Sequence, residues 1–369
     1  MLSYWEKQSL LQYDYIIAGS GIVGLSTAIS LREAQPQARV LVLEKGVLPT
    51  GASTKNAGFA CIGSLTELLA DLRQLPAAEV LALLELRWQG LHALRHRVGD
   101  QHMDYRENGS YELIGEKELP ALSEIDGMND LLRPLLGGDA FTLVSSDFGF
   151  NKSYVKALIR NNFEGELHTG KMMRRLIDLA LFYGVEIKTG CAISGISESD
   201  GGVYVSVGEY SFMAGRVGIC TNAFTRELIP DLDVVPGRGQ VLITDPIPGL
   251  PFKGIYHMDE GYYYFRELEG RVLFGGGRNM DFAGEATTVF ELNTQIHTEL
   301  ENRLRYIILP GFSFNIADRW AGIMAFGQNR QPVIRRHSPR IALGVRMGGM
   351  GVAIGTAIGA QLADILIKE

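Results

Sequence analysis

A chain of 369 residues is longer than one hydrophobic core usually supports, which predicts two domains around a shared cleft. Hydrophobic residues at 46% and charged residues at 21% exclude a disordered or low-complexity scaffold. A net charge of −7 leaves no broad basic field for a phosphate backbone, so a small molecule is expected as partner and nucleic acid is not.

Cysteines occur only at Cys61, Cys191 and Cys220, odd in number and far apart, so a reducing compartment without a disulfide framework is expected. No CxxC or HExxH spacing points to a metal, and no metal site is expected. The opening residues MLSYWEKQSLLQYD lack the basic flank and apolar core of a secretory signal, which predicts a cytoplasmic protein. Between Arg346 and Asp364 lie seventeen uncharged residues with Gly351, Gly355 and Gly359, a spacing that resembles a membrane helix-packing face. The stretch falls short of a span and suits a buried strand, a glycine turn and a helix beginning against a ligand, so no transmembrane segment is expected.

In chain order, residues 15–18 form an apolar run, 19–24 a glycine turn, 25–32 a helical continuation and 40–43 a second buried strand, a βαβ start. Residues 78–98 carry apolar side chains at helical spacing and predict a long packed helix. From 104 to 150, Pro120, Pro134 and several glycines break the chain into short strands and loops, placing a boundary near residue 95. Thr169 is the expected N-cap of a helix that stops at Gly184. The runs VEIKT, VYVSV and RVGICT read as strands returning to the first domain, and 236–274 as antiparallel sheet of a second. Residues 288–309 predict one amphipathic helix, and 341–367 a strand, glycine turn and helix. The pattern predicts a discontinuous nucleotide-binding domain (1–95, 166–225 and 320–369) carrying a substrate domain (96–165 and 226–319).

The segment YIIAGSGIVG holds Gly19, Gly21 and Gly24 in GxGxxG spacing between a strand and a helix that opens with Ile22 and Val23. Gly19 permits the turn, Gly21 lets the main chain approach a pyrophosphate and Gly24 allows close packing, while the helix N-terminus offers its N–H groups. Glu44, followed by Lys45, ends the next strand and would accept hydrogen bonds from an adenosine ribose. NAD and FAD both use this fingerprint.

The next segment, GASTKNAGFACIGS at 51–64, together with the fingerprint resembles the flavin-contacting segment of the D-amino acid oxidase superfamily. That group includes glycine oxidase, sarcosine oxidase and D-amino acid dehydrogenase. GELHTGKMMRRL at 165–176, VVPGRGQV at 234–241, RWAGIMAFGQNRQPVI at 319–334 and GGMGVAIGTAIGAQLADIL from Gly348 extend the resemblance over nearly the whole chain. It implies an α/β fold with a discontinuous Rossmann-like FAD-binding domain of the glutathione-reductase type and a smaller α+β substrate domain with an antiparallel-rich sheet. It implies FAD contacts at Ser53, Thr54, Lys55, Asn56, Ala57 and Gly58, at Ala192 beside adenine, and at Thr221 and Asn222. It also implies main-chain contacts to the flavin at Gly349, Met350, Gly351, Val352 and Ala353.

The implied chemistry is hydride transfer from the carbon of a CH–NH bond to flavin N5, giving an imine that water hydrolyses. The substrate is then an amine or amino acid, the enzyme an oxidase or dehydrogenase, and the electron acceptor oxygen or another carrier. The resemblance places a carboxylate-binding Arg at position 324, here Met324, and a second at position 349, here Gly349. The oxygen-activating Lys of sarcosine-oxidase-like members falls on Leu273. Tyr263 matches the substrate-contacting Tyr, and strand alternation sets it opposite Tyr262 and Tyr264. Lys55, Tyr263 and Arg278 are therefore the candidate catalytic side chains, although Arg266 and Arg278 also read as solvated surface arginines. His92, His96 and His102 read as a solvated helix face, Trp320 as core and Cys61 as a buried apolar residue near the flavin. Two other readings remain open: a flavin-dependent 2-hydroxy acid dehydrogenase, for which His257 is the candidate base, and a flavin-holding subunit of a larger oxidoreductase.

Overall fold

The computed structural model describes residues 1–368. Val40–Leu43 is buried along its whole length and Gln12–Ala18 along its second half, as strands covered on both faces by helices must be. They join a parallel set in the order Ile341–Val345, Tyr210–Ile219, Gln12–Ala18, Val40–Leu43 and Glu186–Lys188. Val333–Arg336 adds antiparallel at one edge, and Ile193–Ser199 with Gly202–Val207 folds back on Tyr210–Ile219. This parallel set thus unites strands from opposite ends of the chain, Gln12–Ala18 and Ile341–Val345.

A second sheet runs Ile316–Phe326, Val235–Thr244, Arg271–Gly276, Tyr263–Leu268, Ile255–Met258, Ser110–Ile114, Ala157–Asn161 and Phe141–Val144. Its pairings are antiparallel except between Ile255–Met258 and Ser110–Ile114. The two faces of this sheet have different tasks. Tyr256, Tyr263, Phe265 and Phe274 point outward into an aromatic core that Ile296 and Leu300 of helix Thr294–Arg303 cover, with the Tyr256 and Phe265 rings stacked at 4.6 Å. His257, Tyr264 and Arg266 point inward, towards the first sheet and its helices.

The structure differs from the sequence reading at five places. Residues 320–326, expected in the nucleotide-binding unit, pair with Val235–Thr244 and belong to the second sheet. The loop region 104–150 contains helix Ile125–Leu136, whose apolar residues at helical spacing were masked by Gly127 and Pro134. A further helix, Leu65–Gln74, starts at the N-cap Ser64. The cap of helix Thr169–Phe182 is His168, whose side chain accepts from Lys171 N at 3.3 Å. Residues 288–309 form a loop, a helix from Thr294 to Arg303 capped by Asn293, and a wider π turn at Leu304–Ile308.

The C-terminal helix Gly351–Ile367 lies on helix Ile22–Ala34, and its glycines set the distance. A Cβ at Gly355 would meet the Ile22 side chain at 2.8 Å, and one at Gly359 would come within 2.6 Å of Ser26 Cβ and 2.8 Å of the Val23 carbonyl. On helix Ala77–Val98 a Cβ at Gly90 would stand 2.1 Å from the Ala353 carbonyl. The stripe that resembled a membrane-packing face is therefore an intramolecular seam, and no described helix is long and apolar enough to cross a membrane.

This seam makes a mutational prediction. Gly359→Ala should lower stability by about 1–3 kcal/mol through overpacking against backbone. Gly127→Ala, on an open helix face with no atom within 4 Å of the added Cβ, should raise it by about 0.5–1 kcal/mol. Urea unfolding of both variants checks the pair, and equal effects would contradict the packing account.

Candidate active site

A cleft of about 1260 Å³ runs between the C-terminal ends of the parallel strands and the inner face of the second sheet. At one end the two glycine turns of the chain share its wall. Gly19 has φ +100, and a Cβ there would meet the Cys220 carbonyl at 2.9 Å. A Cβ at Gly21 would lie 2.8 Å from Ser53 Oγ, which itself accepts from Ile22 N at 3.0 Å. Gly24 stays out of the cleft: its missing Cβ would collide with the Gly19 carbonyl, so its contribution is close packing of the turn. Glu44 accepts from Ser20 N and Oγ at 3.0 and 2.6 Å and from Gly46 N at 3.1 Å. A carboxylate has about four acceptor positions, so one remains free on a rigidly held group.

Ile22, Val23, Glu44, Lys45, Ser53, Lys55, Asn56 and Ala57 line the cleft with Thr221, Asn222 and every residue from Gly348 to Ala353. Lys45 directs its amine to Glu227, 3.0 Å away. Thr54 is turned to solvent, its hydroxyl donating to the Pro49 and Gly51 carbonyls, and it does not line the cleft. Gly58, with φ +76, sits behind the wall, against Leu167 and Arg266. Ala192 is exposed, while its neighbours Cys191 and Ile193 face the cleft, as alternation of an extended chain dictates.

Several contacts fasten segment 51–58. Asn56 Oδ1 accepts from Gly58 N at 2.9 Å and from Thr169 Oγ1 at 2.8 Å. Trp320, expected in the core, is half-buried and donates from its indole to the Lys55 carbonyl at 3.0 Å. Arg266, expected to be solvated, is buried; it donates to the carbonyls of Leu167 and Gly58 at 2.7 and 3.1 Å and pairs with Glu166 at 3.3 Å. At the other turn, Asn222 Oδ1 accepts from the amides of Arg346 and Met347. Asn222 and Arg346 both have positive φ, at 45 and 65, so backbone strain gathers on the cleft wall. Arg346 is held there by Asp233, Asn329 and the Gln331 carbonyl.

Towards the second sheet the cleft becomes aromatic. Phe59 meets the rings of His257 and Tyr264 edge-on at 5.3 and 5.5 Å, and Tyr262, Phe282, Phe290 and Phe326 complete this wall. Tyr263 does not belong to it. Its ring is 1% exposed in the outer core, with the Arg303 guanidinium 3.8 Å from its centre. Alternation carried the signal: Tyr263 shares its face with Phe265, whereas Tyr264 shares the face of the polar Arg266. Arg278 and Lys55 both reach the cleft, and Leu273 packs in an apolar cluster with Ala57 and Val241.

The floor beside Cys61 is held by buried acids that sequence reading missed, since isolated Glu residues carry no pattern. Glu164 accepts from the amides of Ile62 and Gly63 at 2.6 and 2.8 Å and from Ser110 Oγ at 2.6 Å. Burial outweighs these bonds and pushes its carboxyl up to about 7; Glu112, bonded to Thr66, is raised likewise. Burial also pushes the Cys61 thiol well up, which keeps it protonated and unreactive.

A family model described as FAD dependent oxidoreductase (DAO) matches residues 14–365. The chain belongs to this family. It is similar to glycine oxidase from Geobacillus kaustophilus, with a TM-score of 0.77 at 18% identity over 96% of this chain and 95% of that one. L-proline dehydrogenase from P. horikoshii gives 0.78 at 17% identity over 97% and 94%. L-2-hydroxyglutarate dehydrogenase from Escherichia coli is 25% identical over 349 residues, 79% of this chain and 72% of the relative.

FAD fits the cleft on the structure's own terms. Gly19 and Gly21 leave no room for a Cβ, the helix from Ile22 begins beside them, Glu44 keeps a free acceptor position, and the C-terminal helix starts on the same wall. Gly21, Ile22 and Val23 would hold the pyrophosphate, Glu44 the ribose, and 55–57 with 349–353 the ring system. When bound, FAD supplies a two-electron acceptor; the protein supplies position and exclusion of water.

The Glu164 carboxyl gives a pH test. Its folded pKa lies above the ordinary 4.5, so its stabilising contribution is complete below about pH 4.5 and is lost as pH rises through about 7. Glu164→Gln keeps the acceptors for the two amides. Melting temperatures of variant and wild type should nearly coincide at pH 5 and diverge at pH 8, with the variant higher; a gap independent of pH would contradict the assignment.

Proposed function

We propose that the protein oxidises the CH–NH bond of a small amine or amino acid to an imine, which water then hydrolyses. The carbon gives up a hydride, for which bound FAD is the acceptor, and the nitrogen gives up a proton. The observation that carries this reading is the aromatic wall of Phe59, His257 and Tyr264 where the second sheet lines the cleft. Such a wall excludes water, and desolvation together with the cationic Lys55 and Arg278 beside it disfavours an ammonium ion, leaving the neutral amine whose C–H bond is the better hydride donor. His257 reports on that environment: burial alone holds its imidazole down to about 4, so it is neutral at physiological pH. The names of two structural neighbours, glycine oxidase and L-proline dehydrogenase, support an amino compound as substrate.

One observation favours a second reading, oxidation of a 2-hydroxy acid. His257 Nε2 is buried without a hydrogen-bond partner on the cleft wall, where a hydroxyl proton could be received, and an L-2-hydroxyglutarate dehydrogenase is among the relatives.

The purified protein should be yellow. Mixed anaerobically with amines, N-methyl amino acids, amino acids and 2-hydroxy acids, it should be bleached by an amino compound. His257→Gln should leave that bleaching within about tenfold of wild type, because hydride transfer from a neutral amine needs no base of this strength. Bleaching by hydroxy acids alone, lost by roughly 10²–10⁴-fold in His257→Gln, would establish the second reading instead.

A further inference from the structure

Six cationic side chains line the cleft, and the structure separates them by their partners. Lys45 is paired with Glu227, Arg87 with Glu67, Arg330 with Asp71 and Arg346 with Asp233. Lys55 and Arg278 have no carboxylate partner among the described residues. Lys55 rests its amine over the Phe290 ring at 5.3 Å. Arg278 is held more tightly: its guanidinium carbon lies 4.0 Å from the centre of the Phe326 ring and 4.8 Å from that of Phe282. Contact with two rings holds the guanidinium in place and satisfies none of its N–H donors, which leaves them for a bidentate acceptor.

We propose that Arg278 is the anion anchor of the cleft and that the substrate therefore carries a carboxylate. The inference rests on the reading of the aromatic wall given above and narrows its substrate from amines in general to amino acids.

The backbone is built to deliver this side chain. Strand Arg271–Gly276 ends in Gly276 and Gly277, with φ of 126 and 78, and a Cβ at Gly276 would stand 2.1 Å from the Tyr262 carbonyl. Only glycines make that exit, and Arg278 is the first residue after it. Gly237 makes room for the stacked pair: a Cβ there would lie 3.2 Å from Arg278 Nη1 and 2.4 Å from the Phe326 ring. Across the sheet Gly237 pairs with Met324, whose sulfur would lie 3.7 Å from a Cβ on Gly349. This part of the cleft wall thus presents a thioether and one unpaired guanidinium.

One internal alternative is occupied. Glu285, the carboxylate whose charge Arg278 feels, accepts from Arg238 Nε and Nη2, Gln240 Nε2 and Asn293 Nδ2, all at 2.8–2.9 Å. Its four acceptor positions are filled. Arg278 donates no hydrogen bond to any described residue, and burial already works against its charge. A carboxylate entering the cleft would supply the missing acceptor, and the amine it carries would then face the aromatic wall.

Calorimetric titration of the FAD-loaded protein with acetate and benzoate, and with acetamide and benzamide as uncharged matches, tests the anchor without turnover. At least one carboxylate should bind tenfold or more tightly than its amide. Arg278→Leu should erase that preference with amide binding and FAD content unchanged, Arg278→Lys should keep part of it, and Lys55→Met should keep it whole. The proposal is overturned if neither carboxylate outbinds its amide in wild type, if Arg278→Leu retains the preference, or if Lys55→Met is the variant that loses it. Should Arg278→Leu not load FAD, Arg278→Gln replaces it in the same comparison. The two readings fail separately: an intact carboxylate preference with no bleaching by any amino compound sinks the CH–NH reading alone. Equal bleaching by amino acids and their decarboxylated amines sinks the anchor alone.

Discussion

The close approach of the C-terminal helix to the helix that follows the first glycine turn is the constraint on which the cleft depends. Gly355 and Gly359 let Gly351–Ile367 settle against Ile22, Val23 and Ser26, and Gly90 lets a third helix reach the Ala353 backbone. With side chains at these positions the helices would stand further apart, and the two glycine turns at their N-terminal ends would no longer face one cavity. The seam is made by the absence of atoms, and its contribution lies in dispersion contacts and in position.

The second requirement is that the inner face of the second sheet be fixed relative to this seam. Arg266 and Trp320, from strands of that sheet with two others between them, bind main-chain carbonyls of segment 55–58, and Thr169 binds Asn56 from the side. Arg266 and Trp320 thereby hold the main chain of the segment itself. The aromatic wall is consequently placed as a rigid surface, as a site that works by orientation requires.

Much of this was legible in the residues. The βαβ start, the acid at Glu44 and the glycine-rich ending are local patterns, and their order along the chain already implied a discontinuous α/β unit. Less legible were features that depend on a long-range neighbour. Arg266 reads as a surface residue until the carbonyls it binds are brought in from 208 and 99 residues away. Tyr263 and Tyr264 differ only in which face of the strand meets another layer, and the polar Arg266 two residues after Tyr264 was the available clue. The strand at Ile316–Phe326 follows the second sheet through its pairing with Val235–Thr244, which neither segment announces by itself. Glu164 and Glu112 became parts of the floor through burial, a property single residues do not display.

The claim underlying the rest is that one FAD molecule is gripped simultaneously by both ends of the chain. Amide hydrogen exchange, measured on the apoprotein with and without added FAD, reads this directly. Residues 19–23 and 348–353 should gain protection together and at the same FAD concentration. Protection of the first turn with no change at the second would contradict the account.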